Sequence, residues 1–340
     1  MSDIKPYSQT TCKSCGAEAC FVYNNDTYFC MACGASGSIK PPDSPAITKE
    51  AAAMLAFNAA ADRIFRNALT SQAGYEARKY LANRKMTDET VKSWGLGYVP
   101  QYLEKELRKQ GYDDDIMLGS GLFKKDDNGR LWSALSHRIT FPIIDQYGNV
   151  LGFGGRVMDQ TEPKYKNSPE TTVYSKRKHL YGWNKAVWSK ENFVILCEGY
   201  MDVIALHQAG LTNAVASLGT ALTKEQVQLL KTKVRKAVLL YDTDVAGRKA
   251  TDRGISMLRQ EGLQILVANT LPCKDPDEYI RKFGITAFHQ KLKTAQTDLE
   301  YRLENARKED GSLDYEAMLD VALEGYSVKS VKKALNRINA

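Results

Sequence analysis

The run Phe193-Val-Ile-Leu-Cys197 is apolar and of strand length, and it stops at Glu198-Gly199, where Tyr200-Met-Asp202-Val-Ile-Ala takes up helical spacing. A strand apolar on both faces belongs in a sheet covered by helices, so this stretch predicts a parallel α/β sheet. Glu198 then ends a buried strand, in the crevice where open α/β sheets bind ligands, and Gly199 permits the tight turn. The pattern recurs at Lys236-Ala-Val-Leu-Leu-Tyr-Asp242-Thr-Asp244, with Ala246-Gly-Arg248 opening a helix. A third case is Leu263-Gln-Ile-Leu-Val-Ala268, followed by Asp275-Pro-Asp277. Acids gathered at three strand ends repel one another unless a cation is held, and oxygen ligands beside phosphates suit Mg2+ or Mn2+. Any one acid is equally well a turn residue or a helix cap. The three together predict a metal site for phosphoryl chemistry.

Near the start, Cys12-Lys-Ser-Cys15 and Cys30-Met-Ala-Cys33 are separated by fourteen residues, the spacing of a four-thiolate Zn2+ site. Between them Cys20-Phe-Val-Tyr23 and Thr27-Tyr-Phe29 flank Asn24-Asn-Asp26, a hairpin pattern. A zinc ribbon over residues 1–40 is expected, with Cys20 a packing residue and the metal supplying the folding energy. A stiff linker follows at 41–48, containing Pro41-Pro-Asp-Ser-Pro45. Helical spacing runs from a cap at Thr48 to Leu69, with a core stripe of Leu55, Ala59, Ile64, Phe65 and Leu69. Thr87 to Trp94 reads as a second capped helix, ending at Gly95. Strands are expected at 121–124, 139–144 and 150–155.

The net charge of +7 matters less than its placement. From Arg130 to Lys190 there are ten Lys or Arg against four Asp or Glu, a surplus of six, interleaved with Tyr147, Phe153, Tyr165, Tyr174, Tyr181 and Trp183. Basic residues with aromatics suit a nucleic acid, since phosphates are neutralised while bases stack; a solvated basic face over core aromatics is the bland alternative. Arg138 and Arg156 flank the strands, and Lys164, Lys166, Lys176, Arg177 and Lys178 follow in irregular chain.

Several of these motifs resemble one family. Glu198-Gly-Tyr-Met-Asp-Val203, Ala216-Ser-Leu-Gly-Thr220, Tyr241-Asp-Thr-Asp-Val-Ala-Gly-Arg248 and Asp275-Pro-Asp277 look like the Toprim domain of bacterial, DnaG-type primases. His137-Arg-Ile-Thr-Phe-Pro-Ile143, Gly148-Asn-Val-Leu-Gly-Phe-Gly-Gly-Arg156 and Pro163-Lys-Tyr-Lys-Asn-Ser-Pro-Glu170 are similar to the same family's polymerase domain. The resemblance covers roughly residues 75–285, in the family's order. It implies a DNA-templated RNA polymerase that starts chains on single-stranded DNA from NTPs, with two catalytic Mg2+ or Mn2+ ions and a zinc module that reads template; the compact ribbon is closer to phage modules.

The expected architecture is therefore a zinc ribbon, a mixed α/β basic subdomain over 49–191, a Toprim domain over 192–286 with helices on both faces, and a helical segment over 287–340. Glu198, Asp242 and Asp244 are expected as metal ligands, with Asp202, Asp275 and Asp277 as outer or additional metal residues. By resemblance, Arg138, Lys164 and Lys176 to Lys178 line the template and nucleotide groove, and Arg248, at a helix start, grips the triphosphate. Residues 287–340 do not match the family's larger helicase-binding domain, and no Gly-x-x-x-x-Gly-Lys-Ser/Thr loop occurs, so the expected helicase is a separate partner. No apolar run approaches membrane-spanning length and the start has no signal core, so a soluble, cytoplasmic monomer is expected. Two alternatives stay open: another Toprim enzyme (a nuclease, or a topoisomerase lacking room for its tyrosine domain), and a non-enzymatic, RecR-like recombination mediator.

Overall fold

The computed structural model describes residues 6–10, 20–23, 27–30, 36–38, 47–219, 221–306, 312 and 314–338. The expected zinc ligands Cys12, Cys15 and Cys33 lie outside them. The described part of that region is one antiparallel sheet of β1 (Pro6–Thr10), β2 (Cys20–Tyr23), β3 (Thr27–Cys30) and β4 (Ser36–Ser38). Its β2–β3 hairpin sets Cys20 opposite Cys30 and Phe21 opposite Phe29. The chain divides into two compact units: Met1–Asn83 with Val91–Ser175, and Arg84–Thr90 with Lys176–Ala340.

In the first unit, α1 (Lys49–Thr70) starts where the Thr48 hydroxyl accepts from the Ala51 amide. Its buried face runs through Met54, Phe57, Ala61, Ile64, Phe65, Ala68 and Leu69, so the stripe read at Leu55 and Ala59 is rotated by one residue. The reason is Asn58, fully drawn into the core because its amide donates to the carbonyls of Val150 and Leu151. The helix lies on an antiparallel sheet ordered β10-β9-β8-β5. Before that sheet's main strands come α2 (Tyr75–Asn83), α3 (Asp88–Trp94, dividing between the units after Thr90), β5 (Gly97–Tyr98), α4 (Leu103–Lys109) and α5 (Asp114–Gly119). A separate ribbon pairs β6 (Phe123–Lys125) with β7 (Leu131–Ser133), Lys124 opposite Trp132. Strands β8 (Ile139–Ile144), β9 (Val150–Arg156) and β10 (Tyr165–Asn167) complete the sheet, and the rings of Phe65 and Phe153 meet edge to face at 5.1 Å.

The second unit holds the sheet forecast from Phe193-Val-Ile-Leu-Cys197. After α6 (Trp183–Ala186) come β11 (Phe193–Cys197), α7 (Tyr200–Gln208), β12 (Ala214–Ala216), α8 (Lys224–Lys231), β13 (Lys236–Leu239), α9 (Val245–Gln260), β14 (Gln264–Val267), α10 (Pro276–Lys293) and β15 (Gln296–Thr297). The strand order is β12-β11-β13-β14-β15, parallel except for β15. The path β11–α7–β12 steps one way across the sheet and β12–α8–β13–α9–β14 the other, so right-handed crossovers put α7 on one face and α8 and α9 on the opposite one. Packing agrees: Val227 and Leu230 of α8 and Ile255 and Leu258 of α9 share a core with Val194, Leu196, Ala237 and Leu239. Ile195 and Cys197, pointing the other way along β11, are equally buried.

Besides Arg84–Thr90, this unit takes in the chain from Lys176 on, so residues 176–191, ahead of the expected Toprim start at 192, pack with it. Tyr181 bridges to Ala216 of β12, and the buried Gln226 amide donates to the carbonyls of Lys176 and His179. The stretch 287–340 is largely helical, as expected, and belongs to the same unit. It supplies β15 to the sheet, then α11 (Asp298–Asn305), α12 (Tyr315–Leu323) and α13 (Val328–Ile338), which close on Leu299, Leu303, Met318 and Ala334. The Arg259 guanidinium of α9 stacks 3.6 Å from the Tyr326 ring and pins these helices in place. Among the described residues no helix is long and apolar enough to cross a membrane.

Candidate active site

Strands β11 and β13 are neighbours whose chains leave for opposite sides, and such a reversal opens the ligand crevice of a doubly wound sheet. The ladder between them runs on past the strands: Leu240 N donates to Leu196 O, then Asp242 N donates to Glu198 Oε1 at 3.0 Å. Glu198 and Asp242 are thus joined at the switch point, as their strand-end positions predict. Asp244 is not a strand end but the N-cap of α9, its Oδ1 accepting from Gly247 N at 2.9 Å. A Cβ on Gly247 would stand 2.0 Å from the Asp242 carbonyl oxygen. Gly247→Ala should therefore displace the Asp242 turn and destabilise the protein by about 1–3 kcal/mol, read as a fall in Tm.

Asp275 caps α10 in the same way, accepting from Glu278 N at 2.7 Å with Pro276 in the first turn. Asp202 lies within α7, buried, and accepts from Asp277 N at 3.3 Å. The Asp277 carboxylate, 3% exposed, is engaged by Arg84 at 2.6 Å and Arg281 at 3.2 Å. Arg84, Arg281 and Lys274 went unremarked in the sequence. Lys274 places its ammonium 3.3 Å from Asp242 Oδ2 and 3.1 Å from Asp244 Oδ2. Only the surplus of acids could have hinted at a resident cation.

The electrostatics divide the acids. Burial, then repulsion from Asp242, pushes the Glu198 carboxyl above its ordinary pKa. Burial raises Asp242 too, against the pull of Lys274, and burial with the nearby Asp275 and Asp242 raises Asp202 well above the usual range. Asp244 goes the other way, lowered by the Gly247 amide and then by Lys274. Among the described residues, no three His, Cys, Asp or Glu side chains come close enough as they stand to hold a metal. The donor set still fits a hard divalent cation. Glu198, Asp242 and Asp244 offer only oxygens, two of them are strained by burial of negative charge, and Lys274 already stands in as a cation.

The basic residues fall into two kinds. Arg138 is 7% exposed and donates to the carbonyls of Gly155 and Lys164; burial lowers its pKa. Arg156, 5% exposed, donates to the Tyr165 hydroxyl and lies between the Tyr80 and Tyr165 rings at 5.1 and 4.9 Å. Both order the β8–β10 sheet. Lys166 of β10 sits 5.7 Å from the Trp132 ring centre, its pKa lowered by burial and then by Lys124 and Arg138. Lys164 and Lys178 are exposed, Lys176 is half-buried, and α8 holds the 176–178 stretch through bonds from Gln226 and Thr223. Arg248, exposed in the first turn of α9, donates to Thr243 O at 3.1 Å.

Known proteins match the same two regions. A family model described as the DNA primase catalytic core, N-terminal domain, matches residues 64–187, and a Toprim-like model matches 195–280. The DNA primase of Clostridium acetobutylicum is 40% identical over 272 residues, covering 78% of this chain and 45% of that protein. That of Enterococcus faecalis is 40% identical over 232 residues, 65% of this chain and 37% of that protein. The chain thus spans under half the length of these curated relatives. The RNA polymerase domain of Mycobacterium tuberculosis primase superposes with a TM-score of 0.75 at 28% identity, covering 85% of this chain and 98% of that one. A DNA primase domain from Pseudomonas aeruginosa gives 0.70 at 30% identity, over 83% and 99%. A DnaG primase catalytic domain solved bound to single-stranded DNA gives 0.70 at 30% identity, over 77% and 86%. With the primase catalytic core matched over residues 64–187, the Toprim-like model over 195–280, and a primase domain 30% identical and covered almost whole, the chain belongs to the DnaG-type primase family.

Proposed function

We propose that the chain is a primase core, a DNA-templated RNA polymerase that makes short RNA primers on single-stranded DNA. The observation that carries this reading is the pairing of Glu198 with Asp242 at the switch point, beside Asp244, in a chain of this family. A nucleotide 3′-hydroxyl attacks the α-phosphate of the next NTP, and pyrophosphate leaves. Two divalent cations held by Glu198, Asp242 and Asp244 would supply the charge that activates the attacking oxygen and shields the leaving group. Asp275 and Asp202 add negative field behind that trio, while Asp277, through its amide, orients Asp202. Arg248 keeps donors free to meet the triphosphate at the start of α9. Four cysteines holding Zn2+ would read template, a separate helicase would deliver it, and a cytoplasmic monomer would suffice for the chemistry.

Incubation with single-stranded DNA of mixed sequence, the four NTPs and Mg2+ tests the reading. Short RNA products are expected. DNA cleavage would favour a Toprim nuclease, and tight binding without either product a RecR-like mediator.

Template binding makes its own forecast. Lys164 and Lys178 are exposed, so contacts to phosphates would release counterions and weaken binding as salt rises. Replacing both with Ala should flatten the log–log salt slope by roughly one to one and a half units. All template sequences should lose about equally, because backbone contacts carry no sequence information. Fluorescence anisotropy over a salt series measures the slope, and an unchanged value would put both lysines on a solvated face.

A further inference from the structure

Lys274 is fixed where it stands. Its carbonyl accepts from Thr243 N at 3.1 Å, tying it to the residue between Asp242 and Asp244. Its own amide donates to Glu278 Oε2 at 3.1 Å, and the next residue, Asp275, caps α10. The turn after β14 is thereby clamped to the turn after β13, and the ammonium lands within 3.3 Å of one carboxylate and 3.1 Å of the other. The side chain is nevertheless 57% exposed, so the ammonium can swing away while its backbone stays put.

We propose that Lys274 is a resident counter-ion that a divalent cation must displace from Asp242 and Asp244. The inference rests on the metal site proposed above and adds to it an exchange of charge for charge. An ammonium and a divalent cation cannot share two carboxylates a few ångströms wide without strong repulsion. Entry of the metal therefore drives the ammonium toward solvent. Lys274 thus holds the acids together before metal binds, and weakens metal binding by the strength of the two ion pairs given up.

Mn2+ binding to the full chain, followed by electron paramagnetic resonance or calorimetry, tests this without relying on activity. Lys274→Ala should bind Mn2+ roughly three- to tenfold more tightly, the range expected for two partly exposed ion pairs. Lys274→Arg, which keeps the charge, should stay near the wild-type affinity. Without metal, Lys274→Ala should melt at a lower temperature than the wild type, and saturating Mn2+ should close that gap. Adding Glu198→Gln and Asp242→Asn to Lys274→Ala should abolish the gain, locating it at these acids. Unchanged or weaker Mn2+ affinity in Lys274→Ala, with Glu198→Gln still reducing wild-type binding, overturns this inference alone. No Mn2+ binding by the wild type or any variant overturns the proposed metal site and this inference with it.

Discussion

Glu198→Gln should cut primer synthesis by on the order of a thousandfold while leaving a folded protein. Gln keeps an Oε1 to accept the Asp242 amide, so the turn between β11 and β13 keeps its geometry. What disappears is a negative charge that only a bound cation rewards. In the metal-free protein that charge is a burden. Burial and Asp242 hold the folded carboxyl above its unfolded pKa, so its contribution to stability is present while it is protonated and is lost as pH rises through the folded value. At pH 7 the glutamine variant should therefore melt at or above the wild-type temperature, and the advantage should shrink toward pH 4. A calorimetric series beside a primer assay reads both. Wild-type activity in the variant would remove Glu198 from the chemistry.

Asp242→Asn and Asp244→Asn should each lower synthesis by about 10²- to 10³-fold, and the double variant should lose little more than either single one. Carboxylates holding one cation act as a unit, so the second loss falls on a site already disabled. The variants are also fair tests of chemistry rather than folding. Asn is as good an N-cap as Asp, so α9 keeps the bond from Gly247, and Asp242 contributes its backbone amide to Glu198 whatever its side chain. Primer synthesis by the two single variants and the double variant decides it, and losses that multiply would mean that the two residues serve separate sites.

The sheet was legible because buried parallel strands write themselves as apolar runs, and Glu198 was legible because it breaks one. Asp244 and Asp275 cap helices in the turns that follow β13 and β14, one of the readings the sequence leaves open for each acid. Beyond the surplus of acids, Lys274 and Arg84 carried no signal. Each lies in a loop without periodicity, and its partner is distant along the chain, so only the fold brings charge to charge. Arg138 and Arg156 are expected to flank the strands beside the groove, and the structure adds that both are buried. A basic residue in a basic stretch reads as surface, yet carbonyls satisfy one guanidinium and two tyrosine rings lie near the other.

The two residues of β15 were equally invisible, being too short for any alternation. Leu266 pairs with Thr297 and Val267 with Gln296, and these pairs close the outer edge of β14. An open edge of a regular sheet is a template on which another copy can add its own strand, the first step toward aggregation. Gln296 and Thr297 thus act as a selvedge, a finished border that keeps the fabric from being extended. The stretch past the acids contributes nothing to nucleotide chemistry by this route. It leaves less of the β14 edge open to a strand from another copy.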